Sequence, residues 1–320
     1  MKLTKGVFLD LASIDTGDVD VSALRAACDS WILHGRTSPE ETRERIADAE
    51  VVVSNKVVLN RDLLTSAPSL KLVCVAATGT NNVDLAAAHE LGISVANVTG
   101  YGTPAVVQHV FALMLAHATR LLEYRRAVAE GAWAESDQYC LLDYPIREIA
   151  GRSLGIVGYG ELGRGVAKVA EAFGMEVLIA QRPGGPPQDG RIPLDELLPR
   201  VDVLTLHCPL TEETRNLIGP AELALMKPDA LLINTARGGI VDEQALADGL
   251  YKGVIGGAAM DVLTVEPPRE GNPLLDPAVP NLIMTPHTAW ASRESRQRMI
   301  EEVAANIRAF TTGTERNRLV

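Results

Sequence analysis

Short apolar runs alternate with stretches of helical periodicity along the first hundred residues. Gly6–Asp10, Val51–Ser54, Lys71–Ala76 and Ile93–Asn97 read as strands, and Val21–Ser30, Pro39–Ala47, Arg61–Ser66 and Leu85–Leu91 read as helices. Such alternation predicts a parallel sheet. Gly100-Tyr101-Gly102-Thr103-Pro104 then breaks the pattern, and Pro104 suits the first turn of the long helix that follows. A domain crossover is expected there. Val106–Leu122 is the most apolar helical stretch, but Gln108, His109, His117 and Arg120 interrupt it. That predicts a buried or interface helix, not a membrane span. Residues 121–150 are less regular and carry Trp133, Tyr139, Tyr144 and Pro145, which points to packing against something, such as a second subunit. Alternation then resumes, with strands expected at Val177–Ala180, Val201–His207, Ala230–Asn234, Gly256–Val262 and Leu282–Met284. The last helix, Glu294–Phe310, is expected to return to the first domain.

A chain of 320 residues fits two domains. Hydrophobic residues make up 47% and charged residues 22%, as in a soluble globular protein, while only 4% are aromatic, so the core must be built from Ala, Val, Leu and Ile. The net charge of -11 argues against nucleic acid or an anionic membrane as partner. Any anionic substrate must then be met by local cations or backbone N–H groups. Cys28, Cys74, Cys140 and Cys208 are widely spaced and form no CxxC pair. This argues against a disulfide framework or a metal site and fits a reducing cytoplasm. Met1–Leu11 lacks the long apolar stretch of a signal peptide and reads as a first strand.

A glycine fingerprint lies near the middle of the chain. The apolar run ending at Val157 leads into Gly158-Tyr159-Gly160-Glu161-Leu162-Gly163, and a helical pattern of Val166, Ala167, Val169, Ala170 and Phe173 follows. Strand, tight turn and helix in this order form the context a dinucleotide needs, with the pyrophosphate at the helix N-terminus. The alternative is a chance glycine-rich turn.

Three polar residues follow strand-like runs in the second half: Arg237, Glu266 and His287. In a doubly wound sheet, ligands bind outside the carboxyl ends of the strands, so all three are expected at one crevice beside the nucleotide. A guanidinium grips a carboxylate through two parallel hydrogen bonds. An imidazole gives a proton to a carbonyl oxygen as hydride arrives and takes it back in reverse. A carboxylate beside the imidazole favours its charged form and fixes its orientation. Each residue alone has a plainer reading: a surface ion pair for Arg237, a solvated loop residue for Glu266, a core histidine for His287.

With these residues in view, the chain resembles the D-isomer-specific 2-hydroxyacid dehydrogenases. The matching motifs are Leu154–Gly163, His207-Cys208-Pro209-Leu210-Thr211-Glu212-Glu213-Thr214, Ile233-Asn234-Thr235-Ala236-Arg237-Gly238-Gly239, Ala259-Met260-Asp261-Val262 through Glu266-Pro267, and Thr285-Pro286-His287-Thr288-Ala289. They run in family order over nearly the whole chain. The resemblance implies an α/β protein of two doubly wound parallel-sheet domains. A Rossmann nucleotide domain of residues 101–289 would be inserted into a discontinuous, flavodoxin-like substrate domain of residues 1–100 plus 290–320. It also implies a homodimer through the nucleotide domains, with residues 105–150 as the dimerisation segment. Arg237 would anchor the substrate carboxylate, His287 would donate and accept the proton, and Glu266 would be its partner. The expected cofactor-binding set is Thr103, Gly158, Gly160, Glu161, Leu162, Gly163, Gln181, Arg182, Cys208, Pro209, Thr214, Thr235, Ala236 and Asp261.

Ala76–Asp84, with Gly79 among small residues, suits a backbone nest for a carboxylate, beside the plainer reading of a strand-to-helix turn capped by Asn82. Phosphoglycerate dehydrogenases usually carry an arginine where this chain has Val75, and phosphite dehydrogenases a lysine where it has Thr78 and its neighbours. Formate dehydrogenases pair the histidine with glutamine, whereas here the candidate is Glu266. The lack of extra cations points to a small, singly charged 2-oxo acid. Ala76–Asp84, Gly100–Thr103 and His287–Ser292 resemble glycerate dehydrogenases, also called hydroxypyruvate reductases. That implies reduction of hydroxypyruvate to D-glycerate and of glyoxylate to glycolate. Asn55, Thr78, Gly79, Arg237 and Trp290 are the expected substrate contacts, with a core role as the alternative for Trp290.

The strand Glu176–Ala180 ends at Gln181 and Arg182, with no carboxylate for the ribose 2′-hydroxyl. NADP(H) is therefore the favoured cofactor, with Arg182 free to meet a 2′-phosphate, and NAD(H) the alternative, with Gln181 on the ribose. Two other functions stay open: a reductase for a bulkier 2-oxo acid, and a nucleotide-sensing, corepressor-like binding protein on the same scaffold. The expected mechanism is hydride transfer to the 2-oxo carbon, with Arg237 and the Thr78–Gly79 backbone holding the carboxylate and protonated His287 donating to the forming alkoxide. Reduction should fall as pH rises above neutrality, and the two domains should close over the cleft.

Overall fold

A computed structural model describes residues 2–320. The chain divides into two compact units, one from the chain up to Gly102 together with Trp290–Val320, the other Thr103–Ala289. The first unit is a five-stranded parallel sheet: β1 (Lys5–Phe8), β2 (Ser30–Leu33), β3 (Val51–Ser54), β4 (Leu72–Val75) and β5 (Ser94–Ala96). The helices between them are α1 (Ser22–Arg25), α2 (Pro39–Ile46), α3 (Arg61–Thr65) and α4 (Leu85–Glu90). The strand order β2-β1-β3-β4-β5 is the flavodoxin-like doubly wound order.

Side chains alternate across this sheet. Val7, Leu9, Val52, Val73, Val75 and Val95 enter one apolar cluster. Phe8, Val51, Val53, Leu72, Cys74 and Ala96 enter the other, where Met299, Ile300, Val303 and Ile307 of the chain's last helix complete it. Two details differ from the sequence reading. The helix expected over Val21–Ser30 shrinks to the single turn of α1, and Ser30–Leu33 forms an edge strand, because Trp31 and Leu33 alternate inward from a half-exposed run. The turn before α4 is capped by Asp84, whose carboxylate accepts from the Ala87 N–H, not by Asn82. Asn82 instead donates to the Val57 carbonyl at 3.1 Å.

The second unit opens with α5 (Thr103–Ala118) and α6 (Leu121–Ala129). Its sheet comprises β6 (Ser153–Val157), β7 (Glu176–Ile179), β8 (Val203–Leu206), β9 (Leu231–Asn234), β10 (Gly257–Met260) and β11 (Leu282–Met284). The helices are α7 (Glu161–Ala172), α8 (Leu194–Leu197), α9 (Pro220–Leu225) and α10 (Glu243–Tyr251); α11 (Arg293–Thr312) is the last helix of the first unit. The strand order is β11-β10-β9-β8-β6-β7, all parallel. A single parallel bridge, Ala180 to Ile192, sits beyond β7. Counting that bridge as a reduced strand gives the doubly wound dinucleotide order with one strand added at its far edge. No single described helix is long and apolar enough to cross a membrane.

Asp202, just before β8, fastens the amino end of this sheet. Its carboxylate accepts from the Ser153 N–H at 2.8 Å and the Ser153 hydroxyl at 2.9 Å, and pairs with Lys227 at 2.9 Å. Partial burial works against its charge, but the Ser153 N–H, Lys227 and the Ser153 hydroxyl more than offset this and hold the carboxyl down at about 2. The folded value lies below an unfolded value of about 4. Its stabilising contribution is therefore complete above that pH and is lost as pH falls toward 2. Asp202→Asn should flatten the acid limb of a denaturant-midpoint titration across that window; an unchanged acid limb would deny Asp202 this part.

Candidate active site

Arg237, Glu266 and His287 leave the same edge of one sheet. β9, β10 and β11 are adjacent, and Asn234, Met260 and Met284 lie in register at their carboxyl ends. The Arg237 turn is held by Asn234, fully buried, whose amide donates to the Arg237 carbonyl at 2.9 Å and accepts from the Ala236 N–H at 3.0 Å. Arg237 is exposed, and its guanidinium donates to the Ala236 carbonyl at 2.7 Å. Gly238 lets this turn lie on the next segment: a Cβ there would sit 2.0 Å from the Leu263 carbonyl carbon. That segment carries Glu266, so the anchor candidate and the carboxylate are packed together through backbone.

Glu266 is placed by its own turn. One carboxylate oxygen accepts from the Leu263 N–H at 2.8 Å, and the other meets His287 Nδ1 at 2.6 Å. The histidine side chain is 31% exposed and the glutamate 34%, so the pair is reachable from solvent. Nδ1–H donates to the carboxylate, which leaves Nε2 as the atom that carries a proton to a ligand. His287 has a φ of +55°, and its N–H donates to the Asp261 carbonyl at 2.7 Å. A non-glycine residue holds that conformation only where its surroundings over-determine it.

The glycine fingerprint forms the turn between β6 and α7. Gly158 has a φ of +93°, and a Cβ there would sit 2.6 Å from the Cys208 nitrogen and the His207 carbonyl carbon. The carboxyl ends of β6 and β8 thus meet backbone to backbone, at the point where the strand order reverses and a nucleotide is expected to bind. Gly160 is the N-cap of α7, with open space where its Cβ would be. The Thr103 hydroxyl donates to Glu161 at 2.6 Å. Burial lifts the Cys208 thiol to about 11, so at this position it is a neutral wall residue. His207 Nε2 meets the Thr205 hydroxyl at 3.0 Å, and burial lowers the imidazole to about 4, keeping it neutral. The Thr214 hydroxyl is spent inside the Pro209–Thr214 turn, donating to the Pro209 carbonyl at 2.7 Å and accepting from the Thr211 N–H at 2.7 Å. The Thr235 hydroxyl is buried with no hydrogen-bond partner among the described residues. That hydroxyl, the glycine cradle and the open N-cap at Gly160 fit a dinucleotide.

At the end of β7 the Gln181 amide donates to the Gly185 carbonyl at 3.1 Å, while Arg182 is exposed. Arg191 lies over the Tyr159 ring, 4.9 Å from its centre. Asn234 and Arg191 were not singled out from sequence; an amide ending a buried strand and a second arginine in the 182–191 loop were the available signals.

In the first unit, Asp10 accepts from the N–H groups of Asn55 at 2.9 Å and Lys56 at 2.6 Å, and the Asn55 amide donates to Ser13 at 2.9 Å. The Thr78 hydroxyl donates to the Val98 carbonyl at 2.9 Å, and its carbonyl accepts from Asn97 at 2.8 Å. Trp290 packs edge-on to Tyr101 at 6.3 Å and against an apolar cluster of its unit. Asn55 and Trp290 thus have structural contacts of their own.

Comparison with known proteins identifies the family of the chain. Residues 111–289 match the D-isomer specific 2-hydroxyacid dehydrogenase, NAD binding domain. The chain is 46% identical to a glycerate dehydrogenase from Methylorubrum extorquens, over 98% of each protein. It is 38% identical to a hydroxypyruvate reductase from Blautia hydrogenotrophica, again over 98% of each. Among solved structures, a D-lactate dehydrogenase from Aquifex aeolicus complexed with NAD and lactic acid superposes with a TM-score of 0.79 at 30% identity, covering 96% of each chain.

Proposed function

The chain belongs to the D-isomer specific 2-hydroxyacid dehydrogenases, oxidoreductases acting on CH–OH groups, and on that premise we propose that it reduces a small 2-oxo acid, hydroxypyruvate to D-glycerate and glyoxylate to glycolate, with NADPH as the preferred coenzyme. The observation that carries this reading is the 2.6 Å contact between His287 Nδ1 and Glu266, beside the Arg237 turn.

A bound nicotinamide coenzyme supplies the hydride. The protein's own part is to hold the acid and manage one proton. Arg237 pairs with the substrate carboxylate. His287, oriented by Glu266, carries a proton on Nε2 and gives it to the alkoxide that forms at the 2-oxo carbon. On this reading Gly158, Gly160, Gly163, Thr235 and Ala236 lie on the coenzyme side, whereas Asp261, expected there from the sequence, is buried with both carboxylate oxygens engaged by residues 285–289. Incubation with hydroxypyruvate and NADPH should yield D-glycerate in step with coenzyme oxidation; L-glycerate as the product would overturn the assignment.

The coenzyme preference rests on Gln181 and Arg182 standing where an acidic residue would repel a 2′-phosphate. Arg182→Ala is expected to weaken NADPH about 10-fold or more in KM while leaving NADH nearly unchanged. Equal losses for both coenzymes would show that Arg182 does not read the 2′-phosphate.

A homodimer is part of the proposal. Among residues 121–150, Tyr139 is 90% and Leu142 82% exposed, and Leu121, Leu122, Trp133 and Ile146 are also exposed. An open concavity of about 820 Å³ between α6 and residues 277–283 is lined by Leu122 and Tyr144 of this segment. So much exposed apolar surface in one segment suits a subunit interface.

A further inference from the structure

The loop that carries His287 is gripped by one buried carboxylate. Asp261, 1% exposed, follows β10. One of its oxygens accepts from the Thr285 hydroxyl at 2.5 Å and the Thr288 N–H at 2.9 Å; the other accepts from the Ala289 N–H at 2.9 Å. With its own carbonyl on the His287 N–H, Asp261 holds every residue from 285 to 289 except Pro286, which has no N–H to give. A buried carboxylate needs such donors, and its cost in the fold rises if one is lost.

Behind this grip stands a residue that the reaction has not used. His109 lies on α5, and its Nε2 is 3.0 Å from the Thr285 hydroxyl and 3.6 Å from the Asp261 carboxylate. Among the described residues it is the one basic side chain within ion-pair range of that carboxylate. Proton accounting fixes its role. The Thr285 hydroxyl has one hydrogen and gives it to Asp261, so its oxygen accepts from His109, whose Nε2 must carry the hydrogen. The chain of donation runs from α5 through Thr285 to the carboxylate beneath the His287 loop.

We propose that His109 is a positioning residue for the proton donor: its Nε2–H orients the Thr285 hydroxyl on Asp261, and this relay keeps residues 285–289 in the conformation that presents His287. The inference rests on His287 acting as the acid. The polar contacts of His109 are to Thr285 and Asp261, so it acts on His287 through the loop.

Four variants test it, read by kcat, by KM for hydroxypyruvate and by the Kd of NADPH. His109→Leu removes the donor, and Thr285→Val breaks the relay. His109→Gln returns an N–H at similar reach. His109→Leu and Thr285→Val should each lower kcat about 10-fold, with the NADPH Kd within about twofold of wild type. The double variant should be no worse than either single, and His109→Gln should recover to within about threefold of wild type. Thr285→Val carries the test should His109→Leu not fold. Wild-type kcat in both singles, losses that multiply, or a glutamine variant as impaired as leucine would each overturn the relay. His287→Ala run in parallel separates the two claims. Full activity there would sink the acid assignment itself, whereas its loss beside unaffected relay variants would sink only this inference.

Discussion

Replacing His287 by alanine should lower kcat for 2-oxo acid reduction by about 10²–10⁴-fold, the usual worth of a positioned proton donor. The loss should appear in kcat and kcat/KM together, because the interaction removed is made only as charge develops on the substrate oxygen. Coenzyme affinity should be nearly untouched, since the coenzyme cradle is built by the β6–α7 turn and the carboxyl end of β8. Glu266→Gln should give a smaller loss in the same direction. Its amide can still accept from Nδ1–H, but it no longer offers a charge to the imidazolium 2.6 Å away. A His287→Ala enzyme with kcat within a few-fold of wild type would remove the histidine from the chemistry.

Arg237→Ala should be nearly as damaging, but with a different signature. Truncating one partner of a charged, hydrogen-bonded pair costs about 2–5 kcal/mol, or roughly 30- to several-thousandfold in kcat/KM. Much of that should fall on KM, because the substrate carboxylate is held before and during reduction. Arg237→Lys should recover only part of the loss: it keeps the charge but lacks the planar fork. Substrates without the carboxylate should be turned over equally poorly by wild type and variant. If Arg237→Ala left KM for hydroxypyruvate unchanged, the anchor would have to be sought elsewhere.

Strand and helix alternation was legible because buried parallel strands read as apolar runs such as Val51–Ser54, and each run sits between helical stretches. The edge strand Ser30–Leu33 was not legible, because it is half-exposed and follows a helical pattern without a strong break. The reduced bridge at Ile192 leaves almost no pattern at all. The polar residues after the second-half strands could be named from sequence, since chemistry and strand ends coincide there. What holds them could not. Asp261 gripping residues 285–289 depends on β10 and β11 brought into register from distant parts of the chain, whereas the Asn234 clamp on the Arg237 turn is local and its only trace in the sequence is an amide ending a buried strand. Thr214 shows the converse: a residue picked as a coenzyme contact spends its hydroxyl inside its own turn.

The measurement that bears most directly on the central claim is steady-state reduction of hydroxypyruvate and glyoxylate, each with NADPH and with NADH. The account predicts efficient turnover of hydroxypyruvate, weaker turnover of glyoxylate, and a higher kcat/KM with NADPH than with NADH. No turnover of either acid with either coenzyme, by folded protein that binds the coenzyme, would contradict it.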